Sequence, residues 1–534
     1  MLRVSTGLRA YLLNHGSLAE ALSGGVMYIF SGTQPESPDT GTDATLLATI
    51  TDAGGAYERE QPVTATVTLT AGSSGTVDSV TADGVELLES AVSYNTSLSQ
   101  TASDLAAAIN RSHYTNHCVY ATASGAVVTL TSNRTWAPVL SATAVTVSTT
   151  TLTASKTDFG TIAETPANGL HFEQKDADLY GDPVAKLIKA SGQTWSGTAG
   201  ETGTATWFRF TNHYRGEATE DDGTATSTEV LRMDGSIGLA DATLVLDDVT
   251  IESSDPVTIS GFTITATAMQ TTWSVLRMSG TLINYVLNYG SLAQALTGGD
   301  LTLCKGEQPD SAHDSMDAPL VTLADTGTYQ NEEMEIFGKI VLSGTSGSVD
   351  DVTINGTSLL SAPVPFNDSI SQTLADLMAA LQADSFRNHG LKFHIYASTL
   401  YLNTLKTWSA VWEGGTVGVS VTTLGGTATN FGTVTNTPEA GMRFDRVDSA
   451  NLVQLPSQTM AGTSTVAGDA TWFRIRNHLT EANTMDVDGD TNEPLRLDGD
   501  VYTEDALLNM TSVAVSTSAA TEVSGLSISA TEMP

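Results

Sequence analysis

Positive charge is scarce in this chain: of 534 residues, 23 are Lys or Arg and 60 are Asp or Glu, giving a formal net charge of −37. Binding to a phosphate backbone relies on Lys and Arg displacing condensed counterions, so nucleic-acid binding and an anionic membrane surface are both disfavoured. A lumen through which DNA slides without sticking is compatible with this charge, as is any surface that needs solubility. Cysteine is nearly absent, and Cys118 and Cys304 occupy unrelated places, so nothing demands an oxidising compartment. No apolar run approaches the roughly 18 residues needed to span a bilayer. The N-terminal MLRVSTGLRAYLLNHGS lacks the apolar stretch and cleavage site of a secretory signal. The expectation is a soluble protein made in a cytoplasm. With 40% hydrophobic and only 16% charged residues the chain is globular in composition, its polarity coming from Thr, Ser and Gly.

What is present is a duplication. LRVSTGLRAYLLNHGSLAEALSGG from Leu2 returns as LRMSGTLINYVLNYGSLAQALTGG from Leu276, and GTQP at Gly32 returns as GEQP at Gly306. GTVDSVTADGVELL from Gly75 matches GSVDDVTINGTSLL from Gly347, TWFRFTNH from Thr206 matches TWFRIRNH from Thr471, and LRMDGSI from Leu231 matches LRLDGDV from Leu495. The order never changes, which puts the junction near Gln270 to Val275.

Each copy opens with two short helical pieces. The second begins Ser17-Leu-Ala-Glu20 or Ser291-Leu-Ala-Gln294, the capping-box spacing, and Gly24-Gly25 or Gly298-Gly299 stops it. Strand follows: Val63, Ala65, Val67 and Leu69 alternate with Thr64, Thr66, Thr68 and Thr70, placing aliphatics on one face of a pleated sheet. Val257 and Ile259 lead to Phe262 and Ile264, and Gly261 shifts the alternation, which reads as a bulge or tight turn. The reading is mainly β: two tandem β-sandwich-like units, each with a nested α/β insertion whose one helix starts near Thr101 or Thr373. Residues 1–61 with 156–270 form the first host and 62–155 its insertion; 271–334 with 428–534 form the second host and 335–427 its insertion. Four globular units are expected.

Candidate chemistry is sparse. No nucleophile with its base, carboxylate pair or metal cluster has convincing spacing, so an enzyme is not expected. The Asn-His dipeptides ending at His117, His389, His213 and His478 read as hydrogen-bonded turns at strand ends. Asp486-Val-Asp488-Gly-Asp490-Thr-Asn492 offers alternating oxygens to a structural Ca²⁺ ion, although its glycine falls at the fourth loop position where an EF-hand has it at the sixth; the alternative is a solvated acidic hairpin loop. No other cofactor is expected. Three arginines recur, Arg3 with Arg277, Arg209 with Arg474 and Arg232 with Arg496. Alternation in TWFRF sends Phe208 and Phe210 one way and Trp207 and Arg209 the other. Trp207 and Arg209, with Trp472 and Arg474, are therefore candidates for a subunit contact, both types being enriched at interface hot spots. The alternative is an intrachain pair of the arginine with Asp234 or Asp498.

IFSGTQPESPDTGTDATLLATIT at Ile29 to Thr51, followed much later by GTATWFRF, LRMDGSIG and VTISGFTIT, resembles small β-sandwich virion proteins of bacteriophages. GTVDSVTADGVELL…SLSQTASDLAAAIN resembles an α/β module inserted in phage tail-associated proteins. The resemblance implies a non-enzymatic, ring-forming tail or neck component, a tube, sheath or collar protein acting through contacts with its own copies and other virion proteins. One chain filling two quasi-equivalent places would let a trimer mimic six-fold and a hexamer twelve-fold symmetry, hence an expected homo-oligomer with three-fold or six-fold symmetry. The alternative is a capsid decoration or fibre protein whose loops bind host surface glycan. The second copy departs at LTLCKGEQPDSAHDSM, where the apolar alternation weakens, which argues against equal roles for the two copies.

Overall fold

The computed structural model of the protein describes residues 2–57, 62–88, 90–111, 119–132, 140–162, 168–175, 186–213, 224, 226, 230–265, 277–312, 316, 318–325, 336–360, 362–383, 391–404, 412–433, 441–445, 451–455, 458–478, 494–503, 508–510, 512–518, 520–523 and 525–529. The fold is mainly β. The described residues include six helices, α1 (Thr6–Asn14), α2 (Leu18–Leu22), α3 (Leu98–Arg111), α4 (Gly280–Asn288), α5 (Leu292–Leu296) and α6 (Ile370–Ala383).

Each copy is organised around an eight-stranded sheet. In the first the order is Arg3–Val4, Leu231–Gly238, Trp207–Asn212, Val26–Phe30, Leu46–Asp52, Trp195–Thr198, Pro256–Ile259, with Leu244–Val245 added parallel to Leu231–Gly238. In the second it is Arg277–Met278, Pro494–Tyr502, Trp472–His478, Asp300–Cys304, Pro319–Asp325, Met460–Thr463, Ala520–Val523, with Leu508–Asn509 in the parallel place. Topology therefore repeats along with sequence.

A three-stranded sheet completes each host: Phe172–Lys175, Lys186–Lys189 and Thr263–Thr265, or Phe444–Asp445, Asn451–Gln454 and Ser527–Ser529. Rings of both sheets meet in the first host's core. Phe172 stands edge-on to Trp195 at 5.2 Å and Phe208 edge-on to Phe262 at 5.5 Å, geometries that aromatic quadrupoles favour. The alternation shift at Gly261 marks a corner. Val257 and Ile259 belong to the large sheet and Ile264 to the small one, so the chain changes sheet between them.

The nested stretch forms two four-stranded sheets and one helix in each copy. Thr153–Thr157, Thr64–Ala71, Val127–Ser132 and Val119–Ser124 make one sheet; Val145–Thr150, Thr76–Ala82, Val85–Glu86 and Val92–Ser93 make the other. Ala65, Val67 and Leu69 are buried with Leu105 and Ile109 of α3, while the threonines face outward. The helices α3 and α6 begin at Leu98 and Ile370, earlier than Thr101 and Thr373. Ser97 Oγ and Ser369 Oγ accept from the backbone N–H of Gln100 and Gln372 at 3.1 Å, supplying the caps one turn upstream. Thr101 instead lies inside the first turn, donating to the Ser97 carbonyl at 2.8 Å.

The buried residues do not divide into four cores. The first insertion has its own, but both hosts and the second insertion share one continuous apolar cluster. Periodicity in the sequence locates apolar faces and carries no record of which of them meet.

Candidate functional site: a reciprocal joint and its clamped loops

Helices of 9 and 5 residues are too short to hold themselves in water, so α1 and α2 exist because they are buried. Ser5 Oγ caps α1 by accepting from Leu8 N, and Ser17 Oγ caps α2 by accepting from Glu20 N, both at 3.1 Å. In the second copy Ser291 and Gln294 complete the full reciprocal box, with Ser291 N donating to Gln294 Oε1 at 2.7 Å. Gly24 (φ 78°) and Gly298 (φ 84°) end α2 and α5 in the left-handed region. There the chain crosses a second glycine: a Cβ on Gly169 would lie 2.7 Å from the Gly24 Cα, and one on Gly441 only 2.3 Å from the Gly298 Cα. The exposed carbonyls of that last turn are met by the Asn-His dipeptide. Asn212 Nδ2 donates to the Ala21 and Ser23 carbonyls at 2.9 Å, and Asn477 Nδ2 to Ala295 and Thr297 at 2.9 and 2.8 Å. The asparagine carries the turn; His213 is buried beside it, while His117 and His389, and the side chain of His478, lie outside the described residues.

These helices join the two copies. Helix α1 packs on α5 and α2 on α4; α1 meets the Asn451–Gln454 strand and α4 meets Lys186–Lys189; α3 meets Phe444–Asp445 and α6 meets Phe172–Lys175. Each of these element pairs has its exchanged counterpart. That reciprocity defines an isologous, two-fold-like joint, since a head-to-tail arrangement puts different surfaces together. Asn14 Nδ2 donates to the Asn451 carbonyl across it at 3.1 Å.

On the opposite face of each large sheet lie the recurring arginines. Arg209 makes a two-pronged bond to Asp234, 2.7 Å from Nε to Oδ1 and 2.7 Å from Nη2 to Oδ2, with both side chains fully buried. Arg474 does the same to Asp498 at 2.6 Å. The remaining donors hold a loop: Arg209 Nη1 donates to the Thr40 carbonyl at 3.1 Å, Arg232 Nη1 to Pro38 at 3.0 Å, and Arg3 Nη1 to Pro35. The second copy repeats the clamp, Arg277 Nη1 donating to Gln308 at 2.8 Å and to Pro309, and Arg496 Nη1 to Ala312 at 3.4 Å. The loop following Val26–Phe30 is thus strapped over the sheet. Under it Phe30 stacks on Trp207 at 4.4 Å, with Arg209 5.4 Å from the indole centroid. Burial pushes the Asp234 and Asp498 carboxyls up from the ordinary range; the bonds from Arg209 and Arg474, with the charges of Arg232, Arg3, Arg496 and Arg277, pull them down.

Trp207, Arg209, Trp472 and Arg474 are therefore not surface groups, being at most 2% exposed. The face that alternation left open is covered by the chain's own loop, and the arginines take the intrachain aspartates. This corrects the subunit-contact reading. The calcium candidate Asp486, Asp488, Asp490 and Asn492 lies outside the described residues, as does the junction near Gln270 to Val275. Among the described residues no group of three or more His, Cys, Asp or Glu is placed to hold a metal, and no helix is long and apolar enough to cross a membrane. Cys304 is buried, and Cys118 is outside the described residues.

Sequence reasoning missed a further buried ion pair and the joint itself. Arg476 makes two bonds to Asp300, at 2.9 and 2.7 Å, across neighbouring strands of the second copy. The signal was present: Arg476 and Asp300 stand where the first copy has Thr211 and Val26. No family model, curated protein or solved structure matches the chain.

Proposed function

We propose that this chain is a non-enzymatic structural component of a phage particle, a ring-forming tail or neck protein working through subunit contacts. One observation carries the reading: the reciprocal joint. A unit that buries its two opening helices against the same helices of a second unit is built to associate with its own kind, and here that pair has been made covalent. The strapped loops add rigidity, since each buried guanidinium ties sheet to loop with charge-assisted bonds. The acidic composition, with 60 Asp and Glu, supports a surface on which DNA does not stick.

The joint also alters the geometry of the proposed ring. Two units related by a two-fold do not occupy successive places about one axis. The closed arrangement that uses such an axis is dihedral, so three or six chains form two tiers of three or six units. The test is electron microscopy of particles carrying a label at the C-terminus. Label on the tail or neck axis agrees with the reading, and label scattered over the capsid defeats it.

A further inference from the structure

The two insertions share a fold but not a surface. In the second, the sheet Leu391–Tyr396, Thr399–Thr404, Phe337–Ser343, Gly425–Thr429 turns one face outward. That face carries Phe337, Lys339 and Val341 on one strand, Tyr401 on the next, and Lys392, His394 and Tyr396 on the edge strand. Tyr396 is 72% exposed, Phe337 46% and Val341 39%. Tyr401 touches its neighbours on both sides, Phe337 at 5.9 Å and His394 at 4.7 Å with the rings 9° from parallel. Lys339 Nζ sits 4.9 Å from the Phe337 ring and 5.3 Å from the Tyr401 ring.

In the first insertion most of the same pleat positions hold threonine or serine, with Tyr120 standing where the second has Lys392. The registers are tied by equivalent bonds, Val63 N to Ser132 Oγ and Ile336 N to Thr404 Oγ1, which set Thr64, Thr66 and Thr68 opposite Phe337, Lys339 and Val341. Thr129 then matches Tyr401, and Thr122 and Ser124 match His394 and Tyr396. The fold therefore does not need a ring at Phe337, Tyr401 or Tyr396, nor an ammonium at Lys339. Lys392 Nζ turns to the Tyr289 ring at 5.8 Å, which leaves Lys339 as the ammonium among the rings; an aromatic face with a lysine at its centre is anomalous in a chain of net charge −37, where a locally positive place favours the approach of another copy.

We propose that this face holds a second copy of the chain, meeting the acid-rimmed apolar tip of its first host. There Leu239 and Val245, 62% and 52% exposed, stand beside the exposed Asp241, Asp247 and Asp248. Apolar meets apolar and ammonium meets carboxylate, in a head-to-tail contact unlike the reciprocal joint within the chain. Four strands about 4.8 Å apart and six residues rising about 3.4 Å each cover roughly 400 Å², half of one partner's share in a standard interface. A contact of that size is weak alone and suits a closed ring, where several act together. Ring geometry argues against a sugar as occupant. Tyr401 and His394 cover each other's faces and leave edges outward, whereas a pyranose stacks on an open ring face.

This inference rests on the assembly reading, and the experiment separates the two. Association of the full chain is followed by sedimentation velocity for the wild type, for Lys339→Glu, and for the triple variant Phe337→Thr, Lys339→Thr, Tyr396→Ser, which installs residues the first insertion already tolerates. Both variants are expected to fold, by circular dichroism, and to weaken association about tenfold or more. Adding Asp247→Lys and Asp248→Lys to Lys339→Glu is expected to restore it. Variants that associate like the wild type overturn this contact and leave the assembly reading standing. A failed charge-swap rescue overturns the tip as its counterpart. Binding of the wild type to a glycan array, lost in the triple variant while association is unchanged, makes the face a carbohydrate site and overturns the inference. A wild-type chain that stays monomeric at all concentrations defeats the assembly reading as well.

Discussion

The two host sheets differ most where they are buried, and they differ in pairs. Strands Val26–Phe30 and Trp207–Asn212 of the first copy carry Val26 opposite Thr211 and Phe30 opposite Trp207. Their counterparts carry Asp300 opposite Arg476 and Cys304 opposite Trp472. The Phe30 ring that stacks on Trp207 has been replaced by Cys304, with Met316 filling the space against it. A lone charge in such a place would be uncompensated, so charge enters the interior only with its partner. The outward faces of the insertions obey no such constraint. Rings and a lysine can stand singly where the first insertion has threonine or serine, because water receives either.

The largest expected effect tests what the copies share. Asp234→Ala or Asp498→Ala strands a buried guanidinium, and each is expected to cost about 3–5 kcal/mol of unfolding free energy, measured by chemical denaturation. Equal losses in both copies sharpen the comparison; a loss in one alone breaks it.

Next comes the pair that they do not share. Asp300→Val puts the first copy's residue into the second and leaves Arg476 unpaired, at an expected cost of about 3 kcal/mol. Adding Arg476→Thr is expected to recover most of it, since a buried pair exchanged whole is often close to neutral. A double-mutant cycle by chemical denaturation measures the coupling, and additive losses would mean that the pair does not act as a unit.

The joint is probed more gently. Asn14→Ala removes the bond to Asn451 across it and is expected to cost about 1 kcal/mol, read by thermal unfolding.

The smallest effect concerns the exposed Asp78 and the half-buried Asp350, each accepting bonds from two hydroxyls, Thr76 and Thr150 or Ser348 and Thr422, which hold its carboxyl below the ordinary value. Thr150→Val and Thr422→Val should move the respective titrations upward by NMR. A folded pKa below the unfolded one gives stability present above the unfolded value and lost as pH falls through the folded one, so both variants should soften acid unfolding slightly.

Much of the fold was legible beforehand because it is written in local periodicity. The alternation at Val63 to Thr70 and the serine caps at Ser17 and Ser291 depend on neighbours a few residues away. The recurring arginines were visible too, but their role was not. Alternation places Trp207 and Arg209 off the core face, and it carries no record of a loop strapped there by the carbonyls of Pro35, Pro38 and Thr40. The joint was hidden for a related reason: α1 is buried on more than one side, and its apolar residues read the same whether they meet a sheet of their own copy or a helix of the other. The aromatic face of the second insertion was readable by setting TATVTLT against FGKIVLS, a comparison that requires the register fixed by Ser132 and Thr404.

The two-fold-like joint has a consequence for direction. A block whose halves are exchanged by rotation has no top or bottom, and discs stacked from such blocks would be as content upside down. In the proposed tail role, which needs a direction from capsid to host, the bias would have to come from the places where the halves differ, and the rings and Lys339 of the second insertion would be its arrowhead.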